Sequence, residues 1–171
     1  MKESNKGKEK SKILKKLRVY LDTSVISHLD QQDNPEYMQI TKEFWKEVKK
    51  GKYEIVVSDI VFAELRRCSE PKRGILLRFL AEIEYNTIEI SKEIRELAKE
   101  YTKNGIIPLK YIDDAIHIAA ATVSQCDALV SWNFKHIVKL KTIQGINGVN
   151  KLVGYKEIQL VSPQMMLEEK E

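Results

Sequence analysis

Five short runs of strand-forming residues punctuate this chain, LRVYLD, YEIVVS, TIEI, DALVS and EIQLVSP, and segments of helical periodicity occupy the intervals between them. Strands that alternate with helices pair through crossovers rather than tight hairpins, which makes neighbouring strands parallel. The pattern predicts an α/β fold, a three-layer α/β/α sandwich around a central parallel sheet of about five strands. From about Pro35 to Lys50, Tyr37, Ile40, Phe44, Trp45 and Val48 fall at helical spacing and Gly51 follows, so an amphipathic helix with a C-terminal glycine is expected there. Further helices are expected from Ser58 to about Cys68, from Pro71 to about Glu84 and from Ser91 to about Lys103. Asn104, Gly105 and Pro108 break the chain before DDAIHIAAATVSQ, whose small and apolar residues suit a buried helix packed closely on a sheet. Thr23 and Ser24 are candidate caps for the turn after the first strand. A short helix is expected after Asn133, while QGINGVNKLVGY, rich in glycine and asparagine, reads as a loop.

At 171 residues, 43% of them hydrophobic, the chain has apolar material for one sizeable core and is cramped for two. The net charge of +4 is unevenly placed. Residues 1 to 18 carry eight bases against Glu3 and Glu9, a net of +6, so the remainder carries −2 of the total. A basic tail over residues 1–16 and a short C-terminal tail over 166–171 are expected to be disordered, with one folded domain over 17–165. The tail would attract nucleic acid without specificity; solubility, targeting or a mis-assigned start explain it equally well. The longest apolar stretches, such as AIHIAAATV, fall short of the ~20 residues of a membrane-spanning helix, and no apolar signal core follows the basic start. A cytoplasmic address with no membrane partner is therefore expected. Cys68 and Cys126 stand alone, without a CxxC pair, and read as small buried hydrophobes.

In open α/β sheets, ligands bind beyond the carboxyl ends of the strands. Asp22 closes the first strand, Glu64 lies in the helix after the second, Asp114 opens the helix that feeds the fourth, and Asn133 follows the fourth. Alone, Asp22 also fits a turn or capping acid. Glu64 interrupts a largely apolar face formed by Ile60, Val61 and Cys68, where an unpaired carboxylate would cost several kcal/mol. It either pairs with Arg67 or faces a metal. Of the two acids that open the helix, Asp113 suits the exposed cap, whereas Asp114 shares its face with His117 and Ile118. Carboxylates gathered without cations raise one another's pKa values, and a divalent ion resolves the conflict. An all-oxygen donor set selects Mg²⁺ or Mn²⁺.

His28, His117 and His136 show no zinc spacing, and His28 and His117 read as packing or hydrogen-bonding residues. His136 follows Asn133 near the proposed edge. Trp132 and Phe134 suit either base stacking or the rim of the core. Arg66, Arg67, Lys72, Arg73, Lys110 and Lys135 are candidate phosphate contacts, each otherwise a solvated charge. GxGxxG, Walker, GxSxG and HExxH motifs are absent from the sequence, and Ser24 stands where an aspartyl-phosphate phosphatase would need a second Asp.

Four segments in order, LDTSVIS with Asp22, VSDIVFAEL with Glu64, DDAIHIAAA with Asp114 and ALVSWNFKHI with Asn133, resemble the PIN domain. That family includes the ribonuclease toxins of toxin–antitoxin pairs. The resemblance spans about residues 18 to 162. It implies a metal-dependent endoribonuclease that hydrolyses phosphodiester bonds of single-stranded RNA with a metal-activated water. On this chain it makes Asp22, Glu64 and Asp114 the catalytic acids and metal ligands, with Ser24, Asn133, Asp113 and His136 supporting the pocket. Arg66, Arg67, Lys110 and Lys135 become RNA contacts. Many members carry an acid where Asn133 stands and another where His136 stands, so one strong metal site is expected here rather than two. An antitoxin protein and a second copy of the chain, through the Pro35 to Lys50 segment, are the implied partners. The competing expectation is a PIN-like module whose incomplete acid set no longer cuts and which binds RNA or a protein.

Overall fold

The structure, a computed structural model, describes residues 15–168. The disordered tail expected over 1–16 falls almost wholly outside them, as do residues 169–171 of the expected C-terminal tail. Five strands, β1 (Arg18–Leu21), β2 (Glu54–Ser58), β3 (Asn86–Ile88), β4 (Ala128–Val130) and β5 (Gln159–Val161), form one sheet in the order β3-β2-β1-β4-β5. Every pairing is parallel. The helices are α1 (Thr23–Ser27), α2 (Pro35–Lys49), α3 (Asp59–Arg66), α4 (Lys72–Ala81), α5 (Lys92–Lys103), α6 (Ile112–Val123), α7 (Leu140–Val153) and α8 (Pro163–Met166).

The strand order explains the layering. The chain steps outward from β1 to β2 and β3, then returns across the sheet to β4 and continues to β5. Right-handed crossovers in opposite directions put their helices on opposite faces. Accordingly α1, α3 and α4 pack among themselves, α2 packs on the helical turn His28–Asp30 and on α8, and α5 packs with α6 and α7. The result is the three-layer sandwich that the alternating pattern predicts. No helix among the described residues is long and apolar enough to cross a membrane.

Burial follows the sequence periodicities. β1 and β2 are continuous apolar runs because both faces are covered: Val19, Tyr20, Leu21, Val56 and Val57 are completely buried. Full burial of each Val or Leu contributes about 1.5–3 kcal/mol. In α6 every residue from Ala115 to Thr122 is buried, and the alanines let the helix lie close between the sheet and α5. Side-chain caps start α2 (Asn34 accepting from Tyr37 N, 3.2 Å) and α5 (Ser91 accepting from Ile94 N, 3.2 Å). Neither Thr23 nor Ser24 caps α1; Asp22 occupies that position without a side-chain cap bond and is held for another purpose.

The segment expected to be a loop is the largest departure. QGINGVNKLVGY lies mostly within α7, a helix of 14 residues. Its glycines and asparagines lower intrinsic helix propensity, but tertiary packing overrides it. Thr142, Ile146, Val149 and Asn150 form a buried stripe, and Tyr101 donates from its hydroxyl to Asn150 Oδ1 at 2.5 Å. Gly145 is required by a close approach: a Cβ there would lie 2.9 Å from Ile106 Cγ1. Gly154, at φ +89°, then ends the helix in the left-handed region.

Candidate active site

β1 is the point at which the strand order reverses, with β2 on one side and β4 on the other. A crevice opens at such a switch point beyond the carboxyl ends of the strands. Leu21 pairs with Val130, so the next residues, Asp22 and Ser131, emerge side by side. Asp22 N continues the ladder by donating to Val130 O at 3.1 Å. A cleft of about 540 Å³ lies there, lined by Asp22, Ser24, Glu64, Asp113, Asp114 and Asn133, together with Thr23, Ser27, Arg67, Lys110, Tyr111 and His117. Topology therefore brings all three proposed acids to one cleft.

Asp22 is 6% exposed and its carboxylate is fixed by two hydroxyls. Ser24 Oγ donates to Asp22 Oδ2 at 2.7 Å and Ser131 Oγ donates to the same oxygen at 2.6 Å. The serines also tie down the loop after β4, since Ser24 Oγ accepts from Trp132 N at 3.0 Å and Ser131 Oγ from Asn133 N at 2.9 Å. Asn133 in turn accepts from His136 N through Oδ1 at 2.9 Å and lines the cleft with Asp114.

Glu64 has neither of its expected environments alone. No ion pair joins it to Arg67 among the described residues; its partner is His117, whose Nε2–H donates to Glu64 Oε1 at 2.9 Å. The same nitrogen lies 3.6 Å from Asp22 Oδ1. On its other side His117 Nδ1 meets the Tyr20 hydroxyl at 2.7 Å, and that hydroxyl meets Ser58 Oγ at 2.6 Å. A buried chain thus runs from Ser58 through Tyr20 and His117 to Glu64. Burial alone would lower the basicity of His117, but Asp22, Glu64 and Asp114 surround it and raise its pKa above that of an ordinary histidine. For Glu64 burial works upward, and the hydrogen bond and charge of His117 outweigh it, leaving the carboxyl below its usual range.

Asp114 has no such relief. Burial and then the neighbouring charge of Asp22 push its pKa up to about 6, against the smaller opposing effects of His117 and Asn133. The site therefore holds an excess of negative charge centred on Asp22 and Asp114. By donor chemistry the residues fit a hard divalent cation: three carboxylates, no thiolate, and a neutral Asn amide beside them. No group of three or more His, Cys, Asp or Glu side chains stands within reach of one ion among the described residues, and His117 Nε2 lies near both Glu64 and Asp22.

The remaining candidates divide. Arg67 and Lys110 line the cleft, whereas Arg66 does not. Lys72 binds Gln31 Oε1 at 2.7 Å and Arg73 pairs with Glu70 at 3.1 Å, so both are engaged elsewhere. Asp113 is exposed at the start of α6 and also borders the cleft. Trp132 is buried, stacked on Tyr37 at 4.0 Å with Nε1–H donating to Thr41, which makes it a core residue. Sequence reasoning passed over His117, Tyr20, Ser131 and Tyr111 as site residues. The signal for His117 was present, three residues after Asp114 on one helix face.

Fold and site together define an open parallel α/β protein with an acid-lined cleft at its topological switch point. The chain belongs to the PIN domain family, whose model matches residues 19–135. Two solved structures share the fold. VapC20 of Mycobacterium tuberculosis, a toxin that cleaves the sarcin–ricin loop, is 14% identical with a TM-score of 0.51 over 82% of this chain and 98% of its own. VapBC2 of Rickettsia felis, solved with a DNA fragment from its promoter, is 19% identical with a TM-score of 0.52 over 85% of this chain and 98% of that one. No match was found among curated protein sequences.

Proposed function

We propose that this protein is a metal-dependent endoribonuclease acting on single-stranded RNA, and that it is the toxin of a toxin–antitoxin pair in the cytoplasm. One observation carries the catalytic part: Asp114, raised to about 6, sits beside the fixed carboxylate of Asp22 in an open cleft, a concentration of negative charge that protein cations leave partly uncompensated. Asp22, Asp114 and Glu64 would hold one Mg²⁺ or Mn²⁺; Asn133, neutral where a further acid would bind a second ion, argues for a single strong site. When bound, the ion would lower the pKa of a water and offset charge developing on the phosphate. Ser24 and Ser131 keep Asp22 in one orientation. His117, held from behind by Tyr20, orients Glu64 and limits its repulsion of the other two acids. Arg67 and Lys110 at the cleft would take up RNA phosphates. Family membership supports the toxin role, and two similarly folded proteins belong to the VapBC class. An antitoxin would be a segment that fills the cleft, and self-association through α2 belongs to the same proposal.

The test is cleavage of an end-labelled single-stranded RNA pool in Mg²⁺ or Mn²⁺ by the wild type and by Asp114→Asn purified identically. Cleavage abolished by EDTA and by the substitution is expected. Equal cleavage by both proteins would trace the activity to a contaminant.

A second reading is a PIN-like module that binds RNA or a protein without cutting. It is favoured by the engagement of Glu64 with His117 instead of with an open ligand set. A rise in melting temperature with millimolar Mn²⁺ that is lost in Asp22→Ala would support the enzyme, and no shift in the wild type would support the module.

A further inference from the structure

At the lip of the acidic cleft, two aromatic rings from different chain segments lie against one another. Tyr111, in the helical turn that precedes α6, stacks on His136, in the loop after β4, with ring centroids 3.9 Å apart and planes at 30°. Tyr111 lines the cleft beside Asp114, and the backbone of His136 is fixed by Asn133, which also lines it. The pair therefore borders the proposed reaction centre directly through Tyr111 and by way of Asn133 through His136. Two cations attend the same ring. Lys110 Nζ lies 5.8 Å and Lys135 Nζ 6.0 Å from the Tyr111 centroid. No carboxylate among the described residues pairs with Lys110, Lys135 or Lys139, although Asp22, Glu64, Asp113 and Asp114 line the same cleft as Lys110. Phe134 adds a partly exposed ring, at 44%, to the same loop.

We infer that the Tyr111–His136 stack with Lys110 and Lys135 is a nucleotide subsite at the edge of the cleft, taking one RNA base on its aromatic surface and an adjacent phosphate between its lysines. The inference rests on the nuclease reading and names where the strand is gripped. A structural ring pair needs no converging cations, and two lysines beside one ring without a carboxylate partner leave their positive charge available to an anion. The stack itself brings no charge: burial and then Lys135 and Lys139 hold the His136 pKa below that of a free histidine. Aromatic rings flanked by lysines bind single strands without sequence preference, because every base has a π-face. The acids would then meet the phosphodiester next to the held base, while the lysines offset the repulsion between the RNA and Asp22, Asp113 and Asp114.

The test is fluorescence anisotropy of a labelled single-stranded RNA of about 12 nucleotides, within the span such sites cover, with the full chain silenced by Asp114→Asn. In that background Tyr111→Leu and His136→Ala should each weaken binding by roughly 5- to 100-fold, the range a stacked base contributes, while Tyr111→Phe keeps the affinity. Lys110→Gln with Lys135→Gln, both exposed and without an ion-pair partner among the described residues, should lower the slope of log affinity against log salt by about 0.7 per lysine. Melting temperatures within about 2 °C of the parent certify folding. Parent and Tyr111→Leu binding equally, with an unchanged salt slope in the lysine variant, overturns the subsite and leaves the nuclease reading standing. A parent that binds no RNA overturns both.

Discussion

Asp114→Asn should make this protein more stable at neutral pH in the absence of metal, by an amount that depends on pH in a specified way. The carboxyl of Asp114 ionises near 6 in the folded state against 3.8 for a free aspartate, because burial and the charge of Asp22 oppose ionisation. A folded pKa raised above the unfolded one means that the contribution to stability is complete below about pH 4 and is lost as the pH climbs through 6. The shift of about two units corresponds to at most ~3 kcal/mol. The side chain is only partly buried, so solvent screening reduces this to about 1–2 kcal/mol. For a domain of this size that is roughly 2–8 °C in melting temperature. Asparagine keeps the shape and the hydrogen-bonding capacity of the side chain but has no charge to lose. In buffers with EDTA, the melting temperature of the variant minus that of the wild type should be near zero at pH 4 and reach its plateau above pH 7. Differential scanning fluorimetry across that range, on both proteins in parallel, reports Asp114 together with its coupling to His117, while titrations away from the cleft largely cancel. Millimolar Mn²⁺ at pH 7.5 should then reverse the ranking, since only the wild type gains the binding free energy. A difference that stays flat from pH 4 to pH 8 would refute the premise that Asp114 bears uncompensated charge.

Removing the imidazole should be costly. His117→Ala leaves Tyr20 and Glu64 without their common partner inside the protein and should lower stability by about 2–4 kcal/mol in urea unfolding, with His117→Gln recovering part of the loss. Because the folded pKa of His117 is raised, its charge stabilises the fold at low pH and that stabilisation fades as the pH rises through the folded value, so the deficit of His117→Ala should shrink toward alkaline pH. Two glycines of α7 should respond in opposite directions. Gly145→Ala drives a Cβ to 2.9 Å from Ile106 and should cost about 1–3 kcal/mol, whereas Gly148→Ala meets nothing within 4 Å and should stabilise by up to ~1 kcal/mol; chemical denaturation of the two variants checks both signs.

The sheet and most helices were legible because each depends on patterns internal to one segment. LRVYLD and YEIVVS announce doubly covered strands by their continuous apolar runs, and DDAIHIAAATVSQ announces a buried helix by its alanines. α7 was illegible because its stability does not reside in its own residues. Gly145 is unfavourable in an isolated helix and required in this one, and the information that decides between the two lies in Ile106, 39 positions away. The same division runs through the site. Asp22, Glu64, Asp114 and Asn133 stand out because topology sends residues after strand ends to one crevice. The partner of Glu64 was not legible: Arg67, the neighbour along the helix, loses to His117, 53 positions away, which faces it across the cleft. Lys72 and Arg73 illustrate the converse, as charges that a sequence cannot tell from ligand contacts until Gln31 and Glu70 are seen to hold them.

The position of His117 changes how the cleft should be understood electrostatically. Carboxylates packed into a partly buried site without a cation would raise one another's pKa values together, yet Asp114 moves upward while Glu64 moves down. The difference is the imidazole, which lies between Glu64 and Asp22, is anchored from behind by Tyr20, and is screened from solvent at 2% exposure. One carboxylate is thereby satisfied by the protein, and the uncompensated charge falls on the Asp22–Asp114 pair. A divalent ion entering this cleft would be drawn first to that pair, and Glu64, held by His117 through Oε1 alone, would join through Oε2. The imidazole thus fixes the orientation in which Glu64 is offered as a third ligand, and it does so through a chain whose far end, Ser58, lies at the end of β2 and is not among the residues that line the cleft.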